Sequence, residues 1–526
     1  MKTVAALLVA IALLGGADPA CAKTFRWASD ADVASLDPYS GLETFQVSFL
    51  ANIYEPLVRR DPELQLEPAL ATSWTQEGPL VWRFHLRRGV KFQDGSPFTA
   101  DDVRFSFHRA TADGSQIALA LSAIREVRRI DDETVELVTT MPDPTLPQEI
   151  AGWGMMSKAW CEQNAVGEAR PPGDDDSDFA ATHANGTGPF AIATRDPGSE
   201  TDLVPYPGWW DQPRHNLDRA VFRRIADDAA RVAALEAGEV DMLYSVPPQS
   251  TDALALSPHV RIVHGPELRT IFLGFDQSRP SLAGSNIKGR NPFNDRRVRE
   301  AFARAIDEDA IAAKVMRGLA TPAALLVGPG VAGFAPALNR RLPYDPAAAE
   351  RLLAEAGYSH GFALTMDCPN DRYVNDEAIC QAVAAMLGKI GVRVQLHAQT
   401  RAAFFGQLLD LDVGSSFYLL GWTASTHDAY DTLLNLAATQ SRAAHAGTFN
   451  VGGYSNPDLD LLLGQSQAEM NPEKRLILLR RALVLVRDDV AYIPLHQQDL
   501  VWAARDDVEL VQRPDDSFAL RYVRMK

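Results

Sequence analysis

Val81-Trp-Arg-Phe-His-Leu-Arg-Arg-Gly-Val-Lys-Phe-Gln-Asp-Gly-Ser-Pro-Phe-Thr-Ala-Asp-Asp-Val103 is the stretch that decides how this 526-residue chain is read. Trp82, Phe84 and Leu86 alternate with Arg83, His85 and Arg87. That period of two predicts a half-buried strand with its aromatic residues inward and its cations outward. Asp94-Gly95 predicts a turn. Thr99 predicts the N-cap of a helix whose first turn carries Asp101 and Asp102, where carboxylates suit the helix dipole. Val103, Phe107 and Ala110 recur on one face of that helix. Each residue has a structural reason to be where it is, and none is set up for covalent chemistry.

The same alternation of strand and helix continues along the chain. Asp345-Pro346 is an N-cap followed by proline in the first turn, Leu352, Leu353 and Ala356 form a stripe, and Gly357 ends the helix. A second helix from about Asn375 carries Ile379, Val383, Met386 and Leu387 on one face, and Gly391 stops it before the alternating strand Val392–His397. Asn294-Asp295 precedes a further helix with Val298, Phe302, Ala305 and Ile306 inward. Arg170 to Asp178, rich in acids and breakers, predicts a solvated loop. The fold class expected is α/β.

The N-terminus predicts export. Lys2 precedes the apolar run Thr3–Leu14, Gly15-Gly16 interrupts it, and Ala20-Cys21-Ala22 supplies small residues for cleavage, so the mature chain is expected to begin at Lys23. Lipidation at Cys21 is the disfavoured alternative, since Asp18-Pro19-Ala20 stands where an aliphatic residue is wanted. No other run is apolar for long enough to cross a bilayer, so a soluble periplasmic product is expected. A formal charge of −17 disfavours nucleic acid and anionic lipid as partners. After cleavage Cys161, Cys368 and Cys380 remain. Cys368 and Cys380, close in sequence, are the expected disulfide, with Cys161 buried and free.

The strand-turn-helix of residues 81–103 resembles the signature of extracytoplasmic solute-binding proteins of the peptide/nickel class, the dipeptide- and oligopeptide-binding proteins of ABC importers. Further landmarks follow in order: Leu36-Asp37-Pro38, Ile53-Tyr-Glu-Pro-Leu57, Gly186-Thr-Gly-Pro-Phe190, Phe272-Leu-Gly-Phe275, Pro292-Phe-Asn-Asp-Arg-Arg-Val298 and Tyr492-Ile-Pro-Leu495. They span nearly the whole mature chain. The resemblance implies a two-lobed periplasmic-binding-protein fold with a hinge and an extra subdomain in lobe one. It also implies crossings at Thr270–Phe275 and Tyr492–Val501. Lobe one would comprise residues 23–272 and 492–526, and lobe two residues 273–491. The implied partners are a peptide or peptide-like ligand and the permease subunits of an importer, with the protein itself a monomer.

In that family a strand ending in Gly-Trp is followed, three residues after the tryptophan, by an acid that grips the ligand's α-ammonium. Here the strand ends at Trp422, Thr423 follows, and Ser425 stands where the acid is expected. A neutral hydroxyl cannot supply a charge-assisted hydrogen bond, which points to a blocked, modified, cyclic or non-peptide ligand. Asp428 either replaces the missing acid or caps a helix over Asp431–Leu436. Trp422 either walls a cavity or packs in a core. Where dipeptide binders place an arginine for the ligand carboxylate, this chain has Glu377 and Ala378. The nearby cation is Arg372, beside Tyr373, which either forks onto a carboxylate or pairs with Asp371 or Asp376.

His-Glu-x-x-His, Gly-x-Ser-x-Gly, Walker and Gly-x-Gly-x-x-Gly patterns are absent, and the eleven histidines lack metal-ligand spacing. A non-enzymatic protein without cofactor is expected. Delivery of a metal chelate or haem, and a periplasmic hydrolase or sensor on the same fold, are the alternatives.

Overall fold

The structure, a computed structural model, describes residues 22–41, 43–170, 178–408, 414–442, 444 and 446–526. The signal segment up to Cys21 and most of the acidic loop after Arg170 lie outside the described residues. Among those described, the helix Ala100–Ala110 begins as its sequence predicts. The Thr99 hydroxyl accepts from the Asp101 N–H at 3.3 Å, and the Asp102 carboxylate returns to the Thr99 N–H at 2.8 Å. The strand Val81–Leu86 lies within a four-stranded antiparallel sheet with Ala71–Gly78, Thr134–Thr139 and Ile124–Asp131. This sheet and its helix form the extra subdomain of the first lobe. Arg87 departs from the outward expectation: its guanidinium lies 4.0 Å from the Trp210 ring centroid.

A long mixed sheet runs through the molecule. From one edge its strands are Arg393–Gln399, Ala363–Pro369, Phe417–Trp422, Val260–Phe275, Tyr492–Arg505, Met242–Leu243, Thr24–Ser29, Arg219–Arg224, Glu200–Pro205 and Phe190–Asp196. Helices cover both faces, so its strands are apolar on both sides rather than on one. Ile271, Leu273 and Phe275 enter one core of the second lobe, together with Phe417 and Leu419. Phe272, Tyr418 and Leu420 point the other way into a second core. Phe25, Trp27 and Trp502 do the same for the first lobe, opposite Ala28 and Ala503.

Val260–Phe275 and Tyr492–Arg505 pair antiparallel along almost their whole length and belong to both lobes. Val260–Pro266 pairs with residues 499–505, and Thr270–Gly274 pairs with residues 492–497. The register shifts between Pro266 and Thr270 and again between Ile271 and Phe272.

The remaining landmarks are structural. Asp37 and Arg109, both within 1 % of complete burial, form an ion pair inside the first lobe. Glu55 is buried and accepts from the indoles of Trp209 (3.1 Å) and Trp210 (2.7 Å) and from the Thr187 hydroxyl (3.0 Å). Gly186 lets the loop before strand Phe190–Asp196 lie against the Ile53 carbonyl, since a Cβ there would fall 1.9 Å from that oxygen.

Cys368 and Cys380 form a disulfide and Cys161 is buried and free, as the sequence predicts. The bond ties the end of strand Ala363–Pro369 to helix Asp376–Gly388 and so closes the loop that carries Arg372 and Tyr373. Closing 12 residues stabilises by about 3 kcal/mol in the chain-entropy picture. Cys368→Ser/Cys380→Ser should therefore unfold at lower denaturant than the oxidised wild type and match the reduced wild type. Equal midpoints for oxidised wild type and variant would contradict this.

Candidate functional site

The site is built where strand Phe417–Trp422 ends against the second half of Val260–Phe275, with Thr270 paired to Trp422 and Ile271 to Gly421. Gly421 is needed for close approach: a Cβ would meet the Tyr373 ring at 2.8 Å, Ile271 at 2.9 Å and the Arg269 stem at 3.1 Å. The Tyr373 hydroxyl donates to the Gly421 carbonyl at 3.3 Å. Arg372 lies with its guanidinium carbon 5.3 Å from the Tyr373 ring centroid. Burial pushes the Tyr373 hydroxyl above its ordinary range, against the pull of the Arg372 and Arg269 charges nearby. The loop is held by Asp376, which accepts the backbone N–H groups of Arg372 and Tyr373, both at 3.0 Å. Asp371 accepts from the Arg401 backbone. Both acids thus bind backbone, and the Arg372 guanidinium makes no ion pair among the described residues.

Beyond Trp422 the charge reverses. Trp422 packs on Phe449 at 4.9 Å between centroids, and its indole faces the Asp431 carboxylate. Asp431 accepts the Ser425 N–H at 3.1 Å and the Asn435 amide at 3.2 Å. The Ser425 hydroxyl lies 3.5 Å from the same carboxylate. Burial pushes the Asp431 carboxyl up to about 6, opposed by the hydrogen bond from the Ser425 N–H. The acid absent from position 425 is therefore supplied beside it, from the first turn of helix Ala429–Leu436. The Thr423 hydroxyl oxygen is buried without a hydrogen-bond partner.

Asp428 belongs to the framework. It caps helix Ala429–Leu436 through the Tyr430 N–H at 2.8 Å, and Arg475 forks onto it at 2.5 and 3.0 Å. With Asp428 only 2 % exposed and its carboxylate occupied, the ligand reading of this residue gives way to the capping one.

Opposite lies a wall from the first lobe that sequence reasoning missed. The Thr145 hydroxyl lies within hydrogen-bond distance of both Asp143 and Glu149, at 2.8 and 2.9 Å. Arg60 donates to the carbonyls of Leu64 (3.0 Å) and Gln148 (3.3 Å) and, across the lobes, of Thr426 (3.0 Å). Leu64 adopts a left-handed φ of 65° and is buried in a second-lobe core beside Leu268. That backbone conformation costs a non-glycine residue about 1–2 kcal/mol, which the apolar contact offsets. At the crossing, Glu267 takes the Gln498 amide at 2.6 Å and Arg269 at 3.1 Å.

Arg372 and the Arg269 stem thus lie by Tyr373 and Gly421, and Asp431 lies by Ser425 and Trp422, at the end of strand Phe417–Trp422. Among the described residues no group of three or more His, Cys, Asp or Glu is arranged to hold a metal ion, and no helix is long and apolar enough to cross a membrane.

Residues 65–443 match the family described as bacterial extracellular solute-binding proteins, family 5. The glutathione-binding protein GsiB of Escherichia coli O1:K1 is 28 % identical over 509 residues, covering 95 % of this chain and 93 % of that protein. HbpA2 from Haemophilus parasuis superposes with a TM-score of 0.83 at 23 % identity, covering 96 % of this chain and 100 % of that one. The periplasmic binding protein DppA from Helicobacter pylori, in complex with the peptide STSA, does so at 0.74 and 24 %, covering 95 % and 98 %.

Asp428→Asn should cost about 3–5 kcal/mol of stability, because it leaves the Arg475 charge buried and unpaired, while ligand affinity of the folded protein stays within a few-fold. Denaturant unfolding and calorimetric titration check this. A stable variant that has lost its ligand would return Asp428 to the site.

Proposed function

The chain belongs to family 5 of the bacterial extracellular solute-binding proteins of ABC importers, and we propose that it captures a short peptide or peptide-like zwitterion in the periplasm and delivers it to membrane permease subunits. The relatives compared are binding proteins, and the reading is capture without turnover. Export with cleavage after Ala22 and a monomeric state belong to the same proposal.

One observation carries the ligand class: at the end of one strand a buried acid, Asp431, lies by Trp422, and a cation without an ion pair among the described residues, Arg372, lies by Tyr373. Asp431 takes the ligand's ammonium, Arg269 and Arg372 its carboxylate, and Trp422, Tyr373, Thr423 and Ser425 line the space between. On this reading a free amine has an acid to meet, whereas Ser425 taken by itself points to a blocked ligand. GsiB is named for glutathione and the DppA complex contains a tetrapeptide. Both ligand types suit a cleft that grips two charged ends. The hinge is assigned to the register shifts at Pro266–Thr270 and Ile271–Phe272, where the paired crossing strands leave one lobe for the other.

Denaturing the mature protein purified from the periplasm and weighing what it releases should yield a small molecule with a free amine and a carboxylate. A ligand lacking both would overturn the reading. Asp431→Asn should weaken binding of that ligand about tenfold to hundredfold, the worth of a hydrogen bond to a charged group. Because Asp431 titrates at about 6 in the free protein, raised from its ordinary value, affinity for an ammonium should fall as pH drops below about 6. A pH-independent affinity in that range would count against the role of Asp431.

A further inference from the structure

The hairpin of strands Val58–Arg60 and Leu66–Pro68 reaches from one core to another. At its base Leu57 and Val58 lie in the core that holds Phe25 and Trp27, whereas Leu64 at its tip lies, 3 % exposed, in the core that holds Phe272 and Tyr418. The tip is shaped from within. The Asp61 N–H donates to the Gln65 carbonyl at 2.9 Å and the Leu64 N–H to the Asp61 carbonyl at 3.0 Å. The Asp61 carboxylate accepts the N–H groups of Glu63 at 3.0 Å and Gln65 at 2.8 Å. None of these bonds involves the other half of the molecule.

Leucine is costly for that turn and useful to that core. A φ of 65° suits glycine or asparagine, and Leu64 adopts it against steric repulsion. What the position obtains is a side chain. Leu64 Cδ1 and Leu268 Cδ2 lie over Gly330, 3.3 and 3.0 Å from where a Cβ on that glycine would stand. Leu268 sits in the gap of the crossing ladder, its N–H donating to the Pro514 carbonyl at 3.0 Å. Arg60, at the end of the hairpin's first strand, adds a polar contact. Only 9 % exposed, it donates to the carbonyls of Leu64, Gln148 and Thr426, and its own carbonyl accepts from Arg513 at 3.3 Å. Gly330 and Thr426 belong to the chain between the two crossing strands, and the hairpin to the chain outside them.

Resting on the two-lobed, hinged reading given above, we propose that this hairpin tip is a latch of the closed state: Leu64 and Arg60 dock on the opposite lobe as the cleft closes, and so set how tightly any ligand is held. Separating the lobes would expose Leu64 and strip Arg60 of the Thr426 carbonyl, so both contacts favour the closed form alone. The affinity observed for a ligand is its affinity for the closed form reduced by the fraction of protein able to close. Removing the latch lowers that fraction and weakens every ligand by one common factor. A residue that lines the cleft acts instead on one ligand more than on another. The hairpin thus governs the strength of holding and leaves the choice of ligand to the cleft.

The test is calorimetric titration of mature wild type, Leu64→Gly and Leu64→Asn, each freed of ligand by unfolding and refolding, with reduced glutathione, trialanine and the peptide STSA. Both substitutions suit a left-handed turn position, so the ligand-free variants should melt within a few degrees of wild type. Each probe that wild type binds should be weakened about tenfold or more, the worth of burying one leucine side chain. The factor should be the same for every probe, and stopped-flow mixing should show it as faster dissociation. Arg60→Met, which keeps the stem and removes the donors, should act in the same direction. Unchanged affinity in these variants, a loss confined to one of several probes that bind, or Leu64 variants that no longer fold would overturn the latch and leave peptide capture standing. Wild type that binds none of the three probes would overturn both.

Discussion

The antiparallel pairing of Val260–Phe275 with Tyr492–Arg505 is the constraint on which the rest of this molecule depends. Glu267–Phe275 is almost wholly buried, and side chains of the two strands enter separate cores. The ladder between them is interrupted only where its register shifts. Elsewhere, sliding one strand by a residue would turn its apolar side chains to the wrong face. At that interruption Glu267 binds Arg269 and the Gln498 amide and Thr270 accepts from the Gln497 amide, while the Oε1 atoms of both glutamines are buried without a donor.

The same crossing places the chemistry. Thr270 lies beside Trp422 in the sheet and the Arg269 stem beside Gly421, so the crossing strand borders the candidate site. The strand Phe417–Trp422 then ends, and the chain turns through Ser425 into a helix anchored by Asp428 and Arg475. That anchored helix start presents Asp431. Two acids three residues apart thus divide the work. Asp428, paired and buried, fixes the helix, whereas Asp431, with only neutral donors around it, keeps a charge to offer. The distinction rests on who neutralises each carboxylate, not on burial alone.

Local features were legible in the sequence because they depend on neighbours along the chain. The capping box at Thr99, the Asp345-Pro346 helix start, the Cys368–Cys380 pairing and the cap at Asp428 each need only a few consecutive residues or one short loop. The family resemblance supplied the two-lobed architecture. Of the candidate site, the sequence names Trp422, Tyr373, Arg372 and Ser425, but not Asp431, which accepts the Ser425 N–H from six residues later, folded back by a helix turn. The meeting of Arg60 with Thr426 was also out of reach. The two converge from segments far apart in sequence, and no periodicity or spacing encodes a contact made across a cleft.

The account as a whole claims that ligand draws two lobes together about the paired crossing strands. Small-angle X-ray scattering from the refolded, ligand-free mature protein, before and after the recovered ligand is added at saturation, measures this directly. The account predicts a smaller radius of gyration with ligand and a return to the larger value when it is removed. Stoichiometric binding with an unchanged scattering profile would contradict it.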